Sequence, residues 1–406
     1  MLPIPAILYN NPLLTTMIKQ KNMKTLWITP WFGNYRVPIY NGLKELCNNN
    51  FHLICSSKQT SDLVQQKLRK GLGDNVVILD NEKEFVIGNR STTFANKCIV
   101  IKWQKGLYSS IKKINPDVVI VEGFGSWSPA GVLYSILHRK KLCMFYERTA
   151  YVERNAKFIN KLYRKFIGLF VDVFLVNGKE TESYLRNQLG FKNTPIQKGC
   201  MAADSKGLSE AIKGVTLTRI EDLKNKHQLK DGLTFLFVGQ LVKRKGIEEL
   251  LAAWEEHVKS FPNDNLMVIG TGILKDELLN KYSEYNSVHI LGGISYDILH
   301  EYYALADVFI MPTLEDNWCL VLPEAMACGL PVACSIYNGG TSELIIDGEN
   351  GYSFDPKNKK NIIDTLSVFH KSDLKRMGKI SREIESKFNS KSAITNIYNG
   401  CNNDKD

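Results

Sequence analysis

Short apolar, β-branched runs alternate with stretches of helical periodicity along almost the whole chain, and this alternation limits the fold more than any other feature. A first series comprises Thr25–Thr29, His52–Ser56, Val76–Leu79, Cys98–Trp103, Val118–Val121, Leu142–Tyr146 and Val173–Val176. A second comprises Thr234–Val238, Leu266–Ile269, Val288–Leu291, Val308–Met311, Val332–Ser335 and Gly351–Phe354. The runs are continuously apolar rather than strictly alternating, which predicts strands covered on both faces and hence parallel sheets. A polar stretch from Ala202 to Asp231 separates the two series. The expectation is α/β, with two doubly wound Rossmann-like domains over residues 23–200 and 201–379.

Length agrees, since 406 residues suit two domains of about 150–200 residues each. At 44% hydrophobic and 23% charged, the composition excludes disordered and low-complexity classes. The longest apolar stretch, Phe166 to Val176, is broken by Asp172 and falls short of the roughly 20 residues a spanning helix needs. Nine cysteines without a C-x-x-C pair read as reduced thiols of a cytoplasmic protein. Residues 1–22 lack the charged-then-apolar order of a signal peptide and read as a dispensable extension.

The net charge of +10 is unevenly divided. Residues 1–200 carry 29 Lys and Arg against 13 Asp and Glu, whereas the remainder carries 23 against 29. The first half therefore faces something anionic: nucleic acid, phospholipid or a phosphorylated substrate. Nucleic acid is the weaker alternative, because no RNP, Cys/His finger or helix-turn-helix signature accompanies the charge.

In open parallel sheets, chemistry sits where strands run into loops. The strand ending Phe237-Val238 meets Gly239, Gln240 and the cations Lys243, Arg244 and Lys245 before Gly246 and a helix. Close backbone approach, positive charge and a helix N-terminus together suit a phosphate, although no Walker sequence is present. After Ile310-Met311-Pro312 come Glu315, Asp316, Trp318, Cys319 and Leu320, then Glu324 in a short helix ending at Gly329-Leu330-Pro331. Carboxylates there suit sugar hydroxyls. Asn338-Gly339-Gly340 opens a further turn able to hold an anion.

In this order and spacing, from about Leu236 to Pro356, the segments resemble the family-4 group of retaining, nucleotide-sugar-dependent glycosyltransferases with the GT-B fold. The match includes Gly-x-Leu-x3-Lys-Gly, the Gly270 and Gly272 pair, the acid eight residues before Glu324, and Gly-Gly-x-x-Glu. The first half resembles the family in its strand pattern and in the opening Pro30–Arg36 segment, and Phe388–Tyr398 resembles the last helix, which crosses back onto the first domain at about 380–400. The resemblance implies a UDP- or GDP-sugar donor with Lys245 on its diphosphate and Glu324 on its ribose. Asp316, with Glu315 in reserve, would hold the donor sugar, and Trp318, Cys319 and Leu320 would offer backbone N–H groups. Gly293 and Ile294 would meet the base, and Gly239, Gln240, Arg244, Gly270, Gly272 and Gly340 would complete the donor site. Gln240 stands where the family usually carries Arg. Gly33, Asn34 and Arg36 fall on the acceptor side.

Glu147 and Arg148 occupy the position of the family's usual His and become catalytic candidates alongside Asp316, Glu324 and Lys245. No Asp-x-Asp motif is visible, so a metal-independent reaction without a cofactor is expected. Another GT-B activity, such as a nucleotide-sugar epimerase, is the nearest alternative enzyme. Arg154, Lys157, Lys161, Arg164 and Lys165 recur at three- and four-residue spacing beside the apolar Phe158, Ile159, Leu162, Phe166 and Ile167. Such a basic amphipathic helix suits docking on the anionic inner face of a membrane. The expected acceptor is then a lipid-linked glycan of surface polysaccharide assembly: capsule, O-antigen, lipopolysaccharide or exopolysaccharide.

Overall fold

The computed structural model describes residues 23–30, 33–87, 94–95, 99–203 and 205–402, so the expected extension, residues 1–22, lies outside them. Strands β1 (Thr25–Thr29), β2 (Phe51–Ser56), β3 (Val76–Leu79), β4 (Lys83–Ile87), β5 (Ile99–Trp103), β6 (Val118–Glu122), β7 (Lys141–Tyr146), β8 (Val173–Val176) and β9 (Ile196–Gln197) occupy the first part of the chain. The second part holds β10 (Thr234–Val238), β11 (Asn265–Ile269), β12 (Val288–Gly292), β13 (Val308–Met311), β14 (Val332–Ser335) and β15 (Gly351–Phe354). Two parallel sheets result, ordered β3-β2-β1-β6-β7-β8-β9 and β12-β11-β10-β13-β14-β15. Nearly all core-strand side chains are buried, as continuous apolar runs require. This is the expected pair of Rossmann-like domains.

Each sheet reverses its winding once, between β1 and β6 and between β10 and β13. Connections leaving two neighbouring strands in opposite directions open a crevice beyond their carboxyl ends, where ligands bind. The last helix, Ser390–Asn402, returns to the first domain. Gly400 permits its close approach to β8, because a Cβ there would lie 2.5 Å from Leu175 Cδ2.

One expected strand is corrected. The run read as Cys98–Trp103 does not join the parallel sheet: Ile99–Trp103 pairs antiparallel with β4 as a separate two-stranded ribbon. Cys98 lies outside the described residues. Ile101 and Trp103 project into solvent, as do Phe85, Val86 and Ile87 of β4. An apolar run looks the same in a sequence whether it is covered or bare.

Candidate functional site

The second domain's crevice is built from the two segments flanking its switch point. After β10 the chain passes Gly239 and Gln240 into a single 3₁₀ turn, Lys243–Lys245, and then the helix Ile247–Ser260. Gly246 closes the turn at φ +69°, and a Cβ on it would fall 1.9 Å from the Pro312 carbonyl oxygen. Only glycine combines this left-handed backbone with such an approach to the segment after β13. The packing brings Lys245 Nζ within 2.5 Å of Asp316 Oδ2. Arg244 donates to the Glu315 carbonyl oxygen at 2.7 Å and lies 3.7 Å from Asp316.

Electrostatics reinforces the pair. Burial opposes ionisation of both groups, but each is more than offset by its partner: the Lys245 ammonium is held above its ordinary pKa, and the Asp316 carboxyl below its own. Both remain charged at neutral pH. Cys319, beside them, is pushed up to about 12 by burial and is an inert thiol.

A cavity of about 610 Å³ lies between the domains over this pair. Gly239, Gln240, Arg244, Lys245, Glu315, Asp316, Trp318, Cys319 and Leu320 line its second-domain side, and Glu147 and Arg148 line the other. Nine donor-site candidates and the two first-domain candidates are thus brought to one place. The remaining donor candidates form no part of the lining. Gly270, Gly272 and Gly293 lie in the turns beyond β11 and β12, with Ile294 packed against the core. Gly340 packs against Trp318. Glu324 is buried one turn behind Leu320 and Val321, accepting from Tyr303 at 3.3 Å and Tyr296 at 3.5 Å.

Three expectations need correction. The Trp318 and Cys319 N–H groups are already engaged, donating to Asp316 at 3.3 Å and Asn338 at 3.0 Å. Arg36 does not present itself to an acceptor: it is buried, pairs with Glu122 and comes within 3.9 Å of Glu147. Tyr35 lines the cavity in its stead, against Gly33, while the Asn34 side chain lies outside the described residues. The basic face is not continuous either. Arg154 sits in the turn ahead of the helix Phe158–Gly168, and Arg164 is buried against Glu153 and Tyr184. Lys157, Lys161 and Lys165 remain at the surface. The apolar residues beside them, Phe158, Ile159, Leu162 and Phe166, are exposed, whereas Ile167 is core.

Arg154 has a different task. It pairs with Glu315 Oε2 at 2.6 Å across the cleft, while Ala95 N–H donates to Oε1 at 2.7 Å. Tyr151 stacks on Tyr337 at 4.6 Å and accepts from Lys357 at 2.9 Å. No local pattern announces these contacts, which join residues more than 160 positions apart. On the first-domain side, burial lifts the Glu147 carboxyl above its ordinary range despite Arg36, and Arg148 pairs with Glu153 at 2.8 Å.

One further group among the described residues has the composition of a metal site: His257 and His370, each 2.8 Å from Asp264 Oδ2. It lies at the amino-terminal edge of the second sheet, opposite the cleft. His257 Nδ1 is buried without a hydrogen-bond partner among the described residues, whereas a metal-bound imidazole normally donates its second N–H. The residues fit a hydrogen-bonded packing cluster better than a metal centre.

The profile of the family Glycosyl transferases group 1 matches residues 219–384, the part that carries the Lys245–Asp316 pair. An uncharacterized glycosyltransferase of Methanocaldococcus jannaschii is 26% identical over 264 residues, spanning 60% of this chain and 64% of that protein. The alpha-monoglucosyldiacylglycerol synthase of Acholeplasma laidlawii is 27% identical over 174 residues, 42% of this chain and 43% of that one. The chain thus covers less than two thirds of the length of these curated relatives. In fold, it superposes on Anabaena HepE, solved in complex with UDP, with a TM-score of 0.72 at 14% identity, over 93% of this chain and 98% of that one. The two-sheet arrangement is the GT-B fold, and residues 219–384 of this chain are similar to the group 1 glycosyl transferases.

Proposed function

We propose that the protein transfers a sugar from a UDP- or GDP-sugar to a hydroxyl of a glycan acceptor, with retained anomeric configuration as in family 4. The paired cations at the switch-point crevice carry this reading. As the bond between anomeric carbon and diphosphate oxygen breaks, its electron pair leaves with the diphosphate. Lys245 and Arg244 stand ready to meet that charge, and a fixed charge costs no reorganisation during the reaction. Asp316 serves as an acceptor for donor-sugar hydroxyls while holding Lys245 in place. Glu324, with Tyr296 and Tyr303 around it, is the group for the ribose. The acceptor hydroxyl enters from the Glu147 side; burial makes that carboxylate a stronger base than usual, suited to take the hydroxyl proton. The cations supply what a divalent ion would otherwise contribute, so the reading is a metal-independent enzyme.

The finer reading is a lipid-linked acceptor in surface polysaccharide assembly, handled at the cytoplasmic face of the membrane. Its support is the exposed apolar and lysine-rich helix Phe158–Gly168, together with a relative named for a glucosylated diacylglycerol. No described helix is long and apolar enough to cross a membrane, so attachment would be peripheral.

The decisive experiment supplies UDP- and GDP-sugars with lipid extract and follows free nucleotide and product by mass spectrometry. Free UDP or GDP with a glycosylated product is expected. A donor converted to an isomer of unchanged mass would replace this reading with an epimerase, and no turnover of any donor would remove it.

A further inference from the structure

Glu315 and Asp316 are neighbours in the chain, but their carboxylates face different partners. Asp316 is met by Lys245 and Arg244 of its own domain, whereas Glu315 turns across the cleft. Its Oε1 accepts from Ala95 N–H at 2.7 Å and its Oε2 from Arg154 Nη1 at 2.6 Å, both first-domain groups. The Glu315 side chain is only 3% exposed in this arrangement, and a carboxylate buried so deeply requires a partner. Arg154 is held ready for that role by its own domain. The Tyr151 carbonyl oxygen accepts from Nη1 at 2.6 Å, and the guanidinium carbon lies 4.0 Å from the centroid of the Tyr151 ring. The turn is anchored one residue earlier, where the fully buried Glu153 pairs with Arg148 and Arg164. Tyr151 reaches across as well, onto Tyr337 and Lys357.

A diphosphate approaching the second-domain wall meets the sum of its charges. Lys245 and Arg244 there confront two carboxylates, Glu315 and Asp316, and the four charges cancel. Arg154 adds the one positive charge that leaves the wall attractive to an anion. Glu147 and Arg148, on the facing wall, bring one charge of each sign and leave that balance unaltered. The pairing exists only while the domains are together, since Arg154 and Glu315 lie on opposite sides of the cleft. With the domains apart, Glu315 would stand uncancelled beside the cations that meet the phosphates.

Resting on the transferase reading above, we propose that Arg154 is a positioning residue for donor binding: acting through Glu315, it completes the charge of the diphosphate site from the opposite domain. Nucleotide diphosphate and the closed cleft thereby favour each other, because whatever closure adds to nucleotide affinity, bound nucleotide adds equally to closure.

Calorimetric titration with UDP, GDP and uridine tests the assignment. Arg154→Gln should weaken UDP or GDP binding on the order of tenfold, the effect of one uncancelled carboxylate about 10 Å from the diphosphate at an effective dielectric of about 20. Glu315→Gln breaks the same bridge from the other side and should tighten that binding. Arg154→Gln/Glu315→Gln should return it to within threefold of the parent. A bridge that served packing alone would lose affinity in both single variants. Uridine carries no phosphate and should bind the parent and all three variants alike. Hydrogen exchange of residues 149–156 should slow when UDP binds the parent, and slow less in Arg154→Gln. A parent that binds neither nucleotide would remove the transferase reading and this proposal together. Binding that Lys245→Met weakens and Arg154→Gln does not, or equal losses in Arg154→Gln and Glu315→Gln, would leave that reading standing and overturn the role of Arg154. Should Arg154→Gln fail to fold, weaker UDP binding in Glu315→Gln overturns it by itself.

Discussion

Lys245→Met deletes the cation beside Asp316 while keeping most of the side chain's volume. Arg244 and Lys245 set two positive charges against the one carboxylate of Asp316, leaving a net unit of positive charge to receive a diphosphate; the variant leaves none. An anion about 5 Å from the lost charge, at an effective dielectric of about 20, forfeits roughly 3 kcal/mol, or about two decades of rate. Since Arg244 remains, kcat/KM should fall about 30- to 300-fold, with UDP or GDP binding weakened in parallel. Stability should follow the carboxylate. Asp316's pKa is depressed in the fold, so its contribution is present above the ordinary carboxylate range and is lost as pH falls through the folded value. Lys245's pKa is raised, so its share persists until pH rises beyond the usual lysine range. The melting-temperature gap between parent and variant should therefore be open at neutral pH and shrink in acid. The assays are nucleotide-release kinetics, calorimetric titration and thermal melts at two pH values. A folded variant with kcat/KM within threefold of the parent would refute the assignment of Lys245 to the diphosphate.

Asp316→Asn should slow transfer at least tenfold while tightening UDP or GDP binding, because it removes a sugar acceptor and a negative charge together; Glu315→Gln should cost less, and the reverse order in transfer rates would move the sugar-binding role to Glu315. Glu324→Ala should lower transfer at least tenfold through weaker nucleotide binding, and normal nucleotide affinity in the folded variant would deny its ribose role. Turnover should survive exhaustive EDTA treatment, whereas loss reversed only by Mg²⁺ or Mn²⁺ would show that Lys245 and Arg244 do not suffice.

The second domain's site was the most legible part of the chain. Gly239, Lys245, Gly246 and Asp316 each belong to a strand-to-loop segment whose conformation is set by near neighbours: an apolar run, a glycine, then a helix. The two segments meet because β10 and β13 are adjacent, which the βα alternation almost forces. The first domain was less legible. Arg164 has the helical spacing of a surface cation, but Glu153 and Tyr184 draw it into the core. Arg36 carries a charge in the expected segment, but Glu122 claims it.

Periodicity, glycine placement and charge order therefore determined the two parallel sheets, their switch points and the cationic crevice, because each expresses short-range sterics or the burial of a repeating face. Only the tertiary structure decided what crosses the cleft: Arg154 on Glu315, 161 residues away, and Tyr151 on Tyr337. It alone also decided that β4 and β5 leave the sheet and that the helix Phe158–Gly168 keeps its aromatic residues bare. Whether an apolar residue is covered, or a cation paired, depends on which distant surface arrives opposite it, and local sequence holds no record of that arrival.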